Sequence, residues 1–206
     1  MSNKLKIIDL TFKYYEEKQP IFSGINYDFF SGDIIGIYGY NGSGKTTLLN
    51  CLSGYYKPKS GSVLLNNLSP DRCRKEIAII NAAMDLFEYM TLEDNIKFFL
   101  EFYSKRSDKK EIMQFLDKYE IFDHKDKYVF EASNGMLKKT QIIIALLLKP
   151  KLLLADEPLN SLDEKSQVQF FKDIEKLKRE NHSISVFSLH NKELVKEHCN
   201  QIIYLE

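Results

Sequence analysis

Residues 39 to 47 read Gly-Tyr-Asn-Gly-Ser-Gly-Lys-Thr-Thr, and that run constrains everything around it. A glycine, four intervening residues and then Gly-Lys-Thr form a loop whose backbone N–H groups curl round an anion. Such a loop needs a strand to aim it and a helix N-terminus to add partial positive charge. The flanks are of that kind. Asp33-Ile34-Ile35-Gly36-Ile37-Tyr38 is a short apolar run suited to a buried strand, and Thr47-Leu48-Leu49-Asn50-Cys51-Leu52 suits the first turns of a helix. The chain is expected to hold a nucleoside triphosphate within Gly39, Asn41, Gly42, Ser43, Gly44, Lys45, Thr46 and Thr47. Lys45 reaches the β- and γ-phosphates in this reading, and the Thr46 hydroxyl ligates Mg²⁺.

The rest of the chain reads as an α/β core with an insertion. Leu5 to Tyr15 alternates as a strand does, and Ile21 to Phe30 is a second strand closed by the turn Ser31-Gly32-Asp33. Val63 to Leu65 and Ile77 to Ile80 are short further strands. Helical spacing then takes over. Leu92, Ile96, Phe99, Leu100 and Tyr103 form one stripe, and Ile112, Phe115, Leu116 and Tyr119 another, joined by a polar link over Ser104 to Lys110. A third helix follows Asn134 and ends at Lys149-Pro150. Strand patterns return at 152–156, 184–189 and 202–205, with a helix marked by Phe170, Ile174 and Leu177. The expected fold is α/β: a P-loop NTPase (RecA-like) core with a β-rich N-terminal region and a helical subdomain insert. All 206 residues form one domain in this reading, with the core at about 1–87 and 149–206 and the insert at about 88–148.

Composition excludes several classes. Lys plus Arg and Asp plus Glu number 29 each, so the basic excess that bulk nucleic-acid affinity needs is absent and no nucleic acid is expected. Three cysteines, Cys51, Cys73 and Cys199, make neither a disulfide framework nor a zinc pattern, which reads as reduced thiols in a cytoplasm. Met1 to Lys6 has no signal-peptide apolar region. The longest apolar runs, such as Ile142 to Leu148, are far short of the roughly 20 residues that span a bilayer. The expectation is a cytoplasmic chain that reaches a membrane only through a partner.

A second chemical feature lies about a hundred residues beyond the loop. Leu152-Leu153-Leu154-Ala155 is an apolar strand ending in Asp156 and Glu157. An aspartate at that tip can hold Mg²⁺ opposite the phosphate loop, and a glutamate after it can orient or deprotonate a water.

The order of phosphate loop, helical insert, Ser133-Asn134-Gly135-Met136, Asp156-Glu157-Pro158, Ser161-Leu162-Asp163 and a late His190 resembles an ABC-transporter ATPase subunit. The resemblance covers nearly the whole chain. It implies binding of ATP and Mg²⁺, with Asp156 assisting the metal and Glu157 as general base or water-orienting group. His190 matches a switch histidine at the γ-phosphate, and Asp163 matches a loop that signals across a dimer. Tyr14 matches an aromatic that stacks on adenine, although Phe12 on the same strand face also fits. Ser133 and Gly135 match residues that touch the γ-phosphate of an opposing subunit. The implied partners are a second ATPase subunit, in a homodimer or heterodimer, and separate membrane-spanning permease subunits. The implied location is peripheral, on the inner face of the cell membrane. The Ser-x-Gly-Met form of the signature looks more like exporter subunits.

Two departures from the family pattern stand out. Asn134 replaces a signature glycine, a position where asparagine tolerates positive φ better than most residues. The glutamine that the family places before the helical insert aligns with Ala82, which has no polar side chain, and the neighbouring amide is Asn81. Reduced hydrolysis is one consequence, and an ATP-sensing or regulatory module with weak turnover is the alternative function. A phosphate-loop kinase would need neither Ser133 to Met136 nor Asp163. Non-transport relatives in translation or repair usually carry two cassettes or long coiled coils.

Overall fold

The computed structural model describes residues 3–81, 86–106 and 108–205. In chain order the elements are β1 (Lys4–Phe12), β2 (Phe22–Phe30), β3 (Ile34–Gly39), α1 (Lys45–Leu52), β4 (Ser60–Leu65) and β5 (Ile77–Ile80). There follow α2 (Leu92–Phe102), α3 (Lys109–Lys118), α4 (Asn134–Leu147), β6 (Leu152–Asp156), α5 (Glu164–Asn181), β7 (Ile184–Ser188), α6 (Lys192–His198) and β8 (Gln201–Leu205).

The strands sort into two sheets by their patterning. β1 alternates, with Leu5 and Ile7 buried and Lys4 and Lys6 partly exposed, and it lies in an antiparallel sheet of order β2-β1-β4. Near-continuous apolar strands instead suit a parallel sheet covered on both faces. β3, β6 and β7 are of that kind, and they form the centre of a parallel sheet of order β5-β6-β7-β3-β8.

Side chains alternate across that sheet, so each strand feeds two cores. Ile35, Ile37, Leu154 and Val186 face the layer that contains α1 and the antiparallel sheet, where Leu48 and Leu52 are fully buried. Ala78, Leu153, Ala155 and Phe187 face the other layer, with α2 to α5. Burying a side chain such as Leu48 stabilises by about 1.5–3 kcal/mol, and Leu48→Ala is expected to cost about 2–5 kcal/mol by leaving a cavity. The second half of α4 is apolar all round, with Ile142, Ile143 and Ile144 each at 0% exposure, because it is packed between the helical segment and the sheet. Among the described residues no helix is long and apolar enough to cross a membrane.

Two sequence expectations shift. The first strand ends at Phe12, so Tyr14 stands beyond it on a connecting segment. The helix α6 has no counterpart in the sequence reading, because only Val195 of its seven residues is buried and no apolar stripe announces it.

Candidate functional site

The phosphate loop leaves the tip of β3, the strand flanked by β7 and β8. Two of its glycines are held where a side chain would collide. Gly44 has φ 94°, and a Cβ there would lie 2.4 Å from the Ile21 side chain. A Cβ on Gly39 would lie 2.4 Å from the Leu205 carbonyl and 2.5 Å from the Ser43 hydroxyl. The loop therefore closes tightly over the sheet and delivers the chain into α1.

That helix begins unlike the others. Thr91, Asp108, Ser133, Asp163 and Asn191 cap α2 to α6 with their side chains, whereas Gly44 has no side chain to cap α1. The first-turn N–H groups of a helix lack intrahelical partners, so those of α1 are left for an anion. Lys45 is only 6% exposed, and its Nζ donates to the Gly39 and Tyr40 carbonyls, each at 2.9 Å. An ammonium has three donors, so one remains for a phosphate oxygen.

The loop walls a cleft of about 460 Å³, lined by Tyr14, Ile21, Asn41, Gly42, Gly44, Lys45, Thr46, Thr47, Glu157 and His190. That volume lies within the range of small-molecule sites. Ser43 departs from expectation. Its side chain is not on the cleft wall, and its hydroxyl is buried beside Gly39 without a hydrogen-bond partner among the described residues.

The acids arrive on neighbouring strand tips. Asp156 and Ser188 stand opposite one another on β6 and β7. The Thr46 hydroxyl donates to Asp156 Oδ2 at 2.7 Å, and the Ser188 hydroxyl donates to Asp156 Oδ1. The Glu157 N–H donates to that same Ser188 oxygen at 2.9 Å. Ser188 is fully buried, so it fixes both acids from below. Sequence reading missed it; the signal was a small hydroxyl at the strand tip two residues before His190.

Glu157 has φ 46°, a left-handed conformation that is uncommon for a residue with a Cβ and is typical of strained functional positions. The turn swings its carboxylate into the cleft. There Oε1 meets His190 Nε2 and Oε2 accepts from Asn160 Nδ2. Lys138 on α4 lies within electrostatic reach of both acids. Burial pushes its ammonium below the usual lysine range, while Asp156 and Glu157 pull it back up.

Among the described residues no cluster of three or more His, Cys, Asp or Glu side chains is placed to hold a metal. The donors present are one carboxylate, Asp156, and one hydroxyl, Thr46, held together at the mouth of the loop. That set fits Mg²⁺, which takes one or two protein oxygens and completes its shell with phosphates and water.

Phe12 and Tyr14 are now distinguished. Phe12 is 7% exposed and stacks on Tyr56 at 5.3 Å, as a core residue does. Tyr14 lines the cleft, meets Phe12 edge-on at 4.9 Å, and shares a 2.9 Å hydrogen bond with the Thr47 hydroxyl.

Ser133, Gly135 and Asp163, expected as ligands, also lie off this cleft. Ser133 caps α4, accepting from the Met136 N–H at 3.3 Å. Gly135 packs so closely on the next loop that a Cβ would lie 2.9 Å from the Ser161 carbonyl. Asp163 caps α5, accepting from Ser166 N–H at 2.9 Å, and pairs with Lys139 Nζ at 2.7 Å. The Lys139 ammonium holds the Asp163 carboxyl well below the usual carboxylate range; burial opposes this and Ser166 assists. Ala82 lies outside the described residues. Asn81 lines a separate cavity of about 390 Å³ with Asn50, Tyr56 and Phe99, away from the phosphate loop.

This geometry can be set beside known proteins. The family described as ABC transporter matches residues 22–160. The methionine import ATP-binding protein MetN 1 of Enterococcus faecalis is 29% identical over 213 residues, covering 98% of this chain and 60% of that protein. MetN of Chlamydia caviae is 32% identical over 198 residues, covering 90% and 58%. An uncharacterized ABC transporter ATP-binding protein of Methanocaldococcus jannaschii is 30% identical over 209 residues, covering 100% and 75%. The chain spans about 60% of the length of these methionine-import relatives.

Among solved structures, a putative ABC transporter ATP-binding protein of Pyrococcus furiosus superposes with a TM-score of 0.85 at 28% identity, covering 98% of this chain and 97% of that one. A dimeric ATP-binding cassette bound to ADP and Pi superposes at 0.87 with 24% identity, covering 98% and 94%, which shows the fold alone. The expectation of an exporter is not supported. The curated relatives above with a stated direction are named for import, and a bacterial exporter of the Atm1 family is only 19% identical, again a likeness of fold.

Proposed function

The chain belongs to the ABC transporter family, as an ATP-binding subunit of the ATPase class, and from that premise we propose that it hydrolyses Mg·ATP to drive uptake through separate membrane-spanning subunits. The observation that carries the reading is the convergence of an uncapped helix N-terminus, Lys45, Thr46, Asp156, Glu157 and His190 on one cleft.

Each side chain has a distinct task. Tyr14 offers its ring to the base, and the first turn of α1 with Lys45 holds the phosphates. Thr46 and Asp156 would hold Mg²⁺, which when bound neutralises charge developing on the phosphates. Glu157 accepts a proton from the attacking water. Among the described residues each carboxylate oxygen of Glu157 has one partner and room for another, so His190 and Asn160 do not exhaust it. His190, on Oε1, orients the carboxylate and faces the phosphate end of the cleft.

Two copies complete the machine in this reading. Ser133 and Gly135 of one copy close over the phosphates of the other, and the whole chain acts as one ATPase domain with the α2–α4 segment inserted in its core. The permease draws the pair to the inner face of the membrane. Import is favoured by the names of the relatives, and methionine is the first solute to test.

Purified chain with Mg·ATP is the direct trial: phosphate release that vanishes in Glu157→Gln, with nucleotide binding retained, is the expected result. Phosphate release at the wild-type rate in that variant would overturn the assignment. Co-purified permease in proteoliposomes then reads direction, and ATP-driven solute efflux would overturn import. Ala82 favours a second reading, a nucleotide-sensing module with weak turnover. Ala82→Gln separates the two, because restored turnover on adding the amide marks the wild type as a slow enzyme whose missing group is known.

A further inference from the structure

The loop that follows Glu157 touches the catalytic carboxylate at one end and α4 at the other. Asn160 Nδ2 donates to Glu157 Oε2, and the Asn160 N–H donates to the Glu157 carbonyl at 3.2 Å, closing a tight turn. Ser161, next along, has φ 66°, so the backbone bends a second time within four residues. Leu159 and Leu162 are both 8% exposed and packed in the core shared with α4, which keeps the loop from sliding. Beyond the turn, the Ser161 carbonyl abuts Gly135, and Asp163 is held by Lys139, both on α4.

We propose that Asn160 is a positioning residue for Glu157, and that through it the N-terminal turn of α4 controls the orientation of the catalytic carboxylate within one chain. The inference rests on the reading of Glu157 as the proton acceptor. A glutamate carboxylate rotates freely about its last torsion, with only a broad two-fold preference. Here the rotation is stopped at both oxygens, by His190 from the segment after β7 and by Asn160 from the loop after β6. His190 alone would leave the plane free to swing about Oε1. Asn160 supplies the second point, and its own position is set by Ser161 and Asp163 against α4. A displacement of α4 therefore re-aims Glu157 without touching the nucleotide. Asn160 itself is exposed, so its substitution removes the amide without opening a core cavity.

Steady-state kinetics and nucleotide affinity of Asn160→Ala and Asn160→Asp test this. Asparagine and aspartate serve turns alike. Only asparagine can donate to a carboxylate, and aspartate sets a second negative charge against Glu157. The expected result is a kcat at least tenfold lower in both variants, since small misplacements of a reacting group carry penalties up to about a hundredfold. KM and nucleotide Kd should stay within about twofold of wild type, because neither atom involved binds the nucleotide. Wild-type kcat in Asn160→Asp would reduce Asn160 to a turn residue and overturn the proposal.

The link to α4 is read by a double-mutant cycle with Lys139→Met. That substitution should lower kcat in the wild-type background and add nothing in Asn160→Ala; full additivity would overturn the coupling. Glu157→Gln run alongside separates the failures. If it keeps wild-type turnover, the base reading falls and this inference with it. If it abolishes turnover while both Asn160 variants keep theirs, this inference alone falls.

Discussion

Helices α1 and α4 both start beside glycines, and both are candidate phosphate-binding ends, yet they are built in opposite ways. α1 begins at a left-handed glycine with no side-chain cap, at the wall of a cleft that also holds Asp156, Glu157 and His190 at its edge. α4 begins at Ser133, in extended conformation, with its own hydroxyl on the Met136 N–H, and no residue of that turn lines the cleft. The first end has free donors and acids in one chain. The second has its third N–H, that of Met136, already satisfied and is exposed at Ser133 and Asn134. In the proposed two-copy arrangement, the contrast separates what one chain does alone from what it offers a second copy. In that cap the Ser133 oxygen accepts, so its own O–H proton is left to donate to another acceptor while the cap stays in place.

Substitutions on the two sides should differ in size and in what they change. The largest effect belongs to Glu157→Gln, which should lower kcat by about 10²- to 10⁴-fold while nucleotide Kd stays within a few-fold. Phosphate-release assays paired with calorimetry check it. Lys45→Ala comes next: loss of a charge-assisted phosphate contact should weaken nucleotide binding by about 1.5–3 kcal/mol. Equal calorimetric affinity for that variant and wild type would erase the distinction between the ends. Ser133→Ala should leave the isolated chain's nucleotide Kd within about twofold and cost about 0.5–2 kcal/mol of stability in urea, as loss of an N-cap does. Its functional effect should show only in ATP-driven dimerisation, followed by size exclusion in the Glu157→Gln background. A fall in monomer affinity as large as that of Lys45→Ala would break the comparison.

The smallest expected effect is one of pH. The Asp163 carboxyl is held low mainly by Lys139, so its contribution to stability is fully present above its unfolded pKa of about 3.9. That contribution is lost as pH falls from there through the lower folded value. The Asp163 side chain is half exposed although Lys139 is nearly buried, and solvent screening keeps the effect modest. The Tm difference between wild type and Asp163→Asn should be constant above about pH 5 and shrink below about pH 4. A difference that grows on acidification would refute the pairing.

Much of this was legible in the sequence because local chemistry left few options. A Gly-Lys-Thr loop needs a strand before it and a helix after it, and β3 and α1 lie where that rule puts them. Leu152 to Asp156 is too short and too apolar to be anything but a buried strand. What failed to show were relations between distant segments. The pattern of β1 does not say that it joins a different sheet from β3. Phe12 and Tyr14 have the same spacing on paper; only the end of β1 sends one into the core and the other to the cleft. Ser188 and Asn160 are ordinary polar residues in sequence, and they matter because the fold brings them under and beside Glu157. Asp163 is expected to signal across a dimer, and what the structure shows is a helix cap, a role that the spacing to Ser166 could have disclosed.

The parallel sheet also sets a limit on length. Asp156, Ser188 and Ile37 occupy one row across β6, β7 and β3, two residues short of the point where the phosphate loop departs. Deleting one residue from the middle of β7 would draw Ser188 back by about 3.3 Å and turn it to the opposite face, away from both acids. Insertions at the far ends of these strands, by contrast, would leave the row untouched. Insertion scanning should therefore find the edge of the sheet that carries Asp156 and Ser188 closed to changes of length.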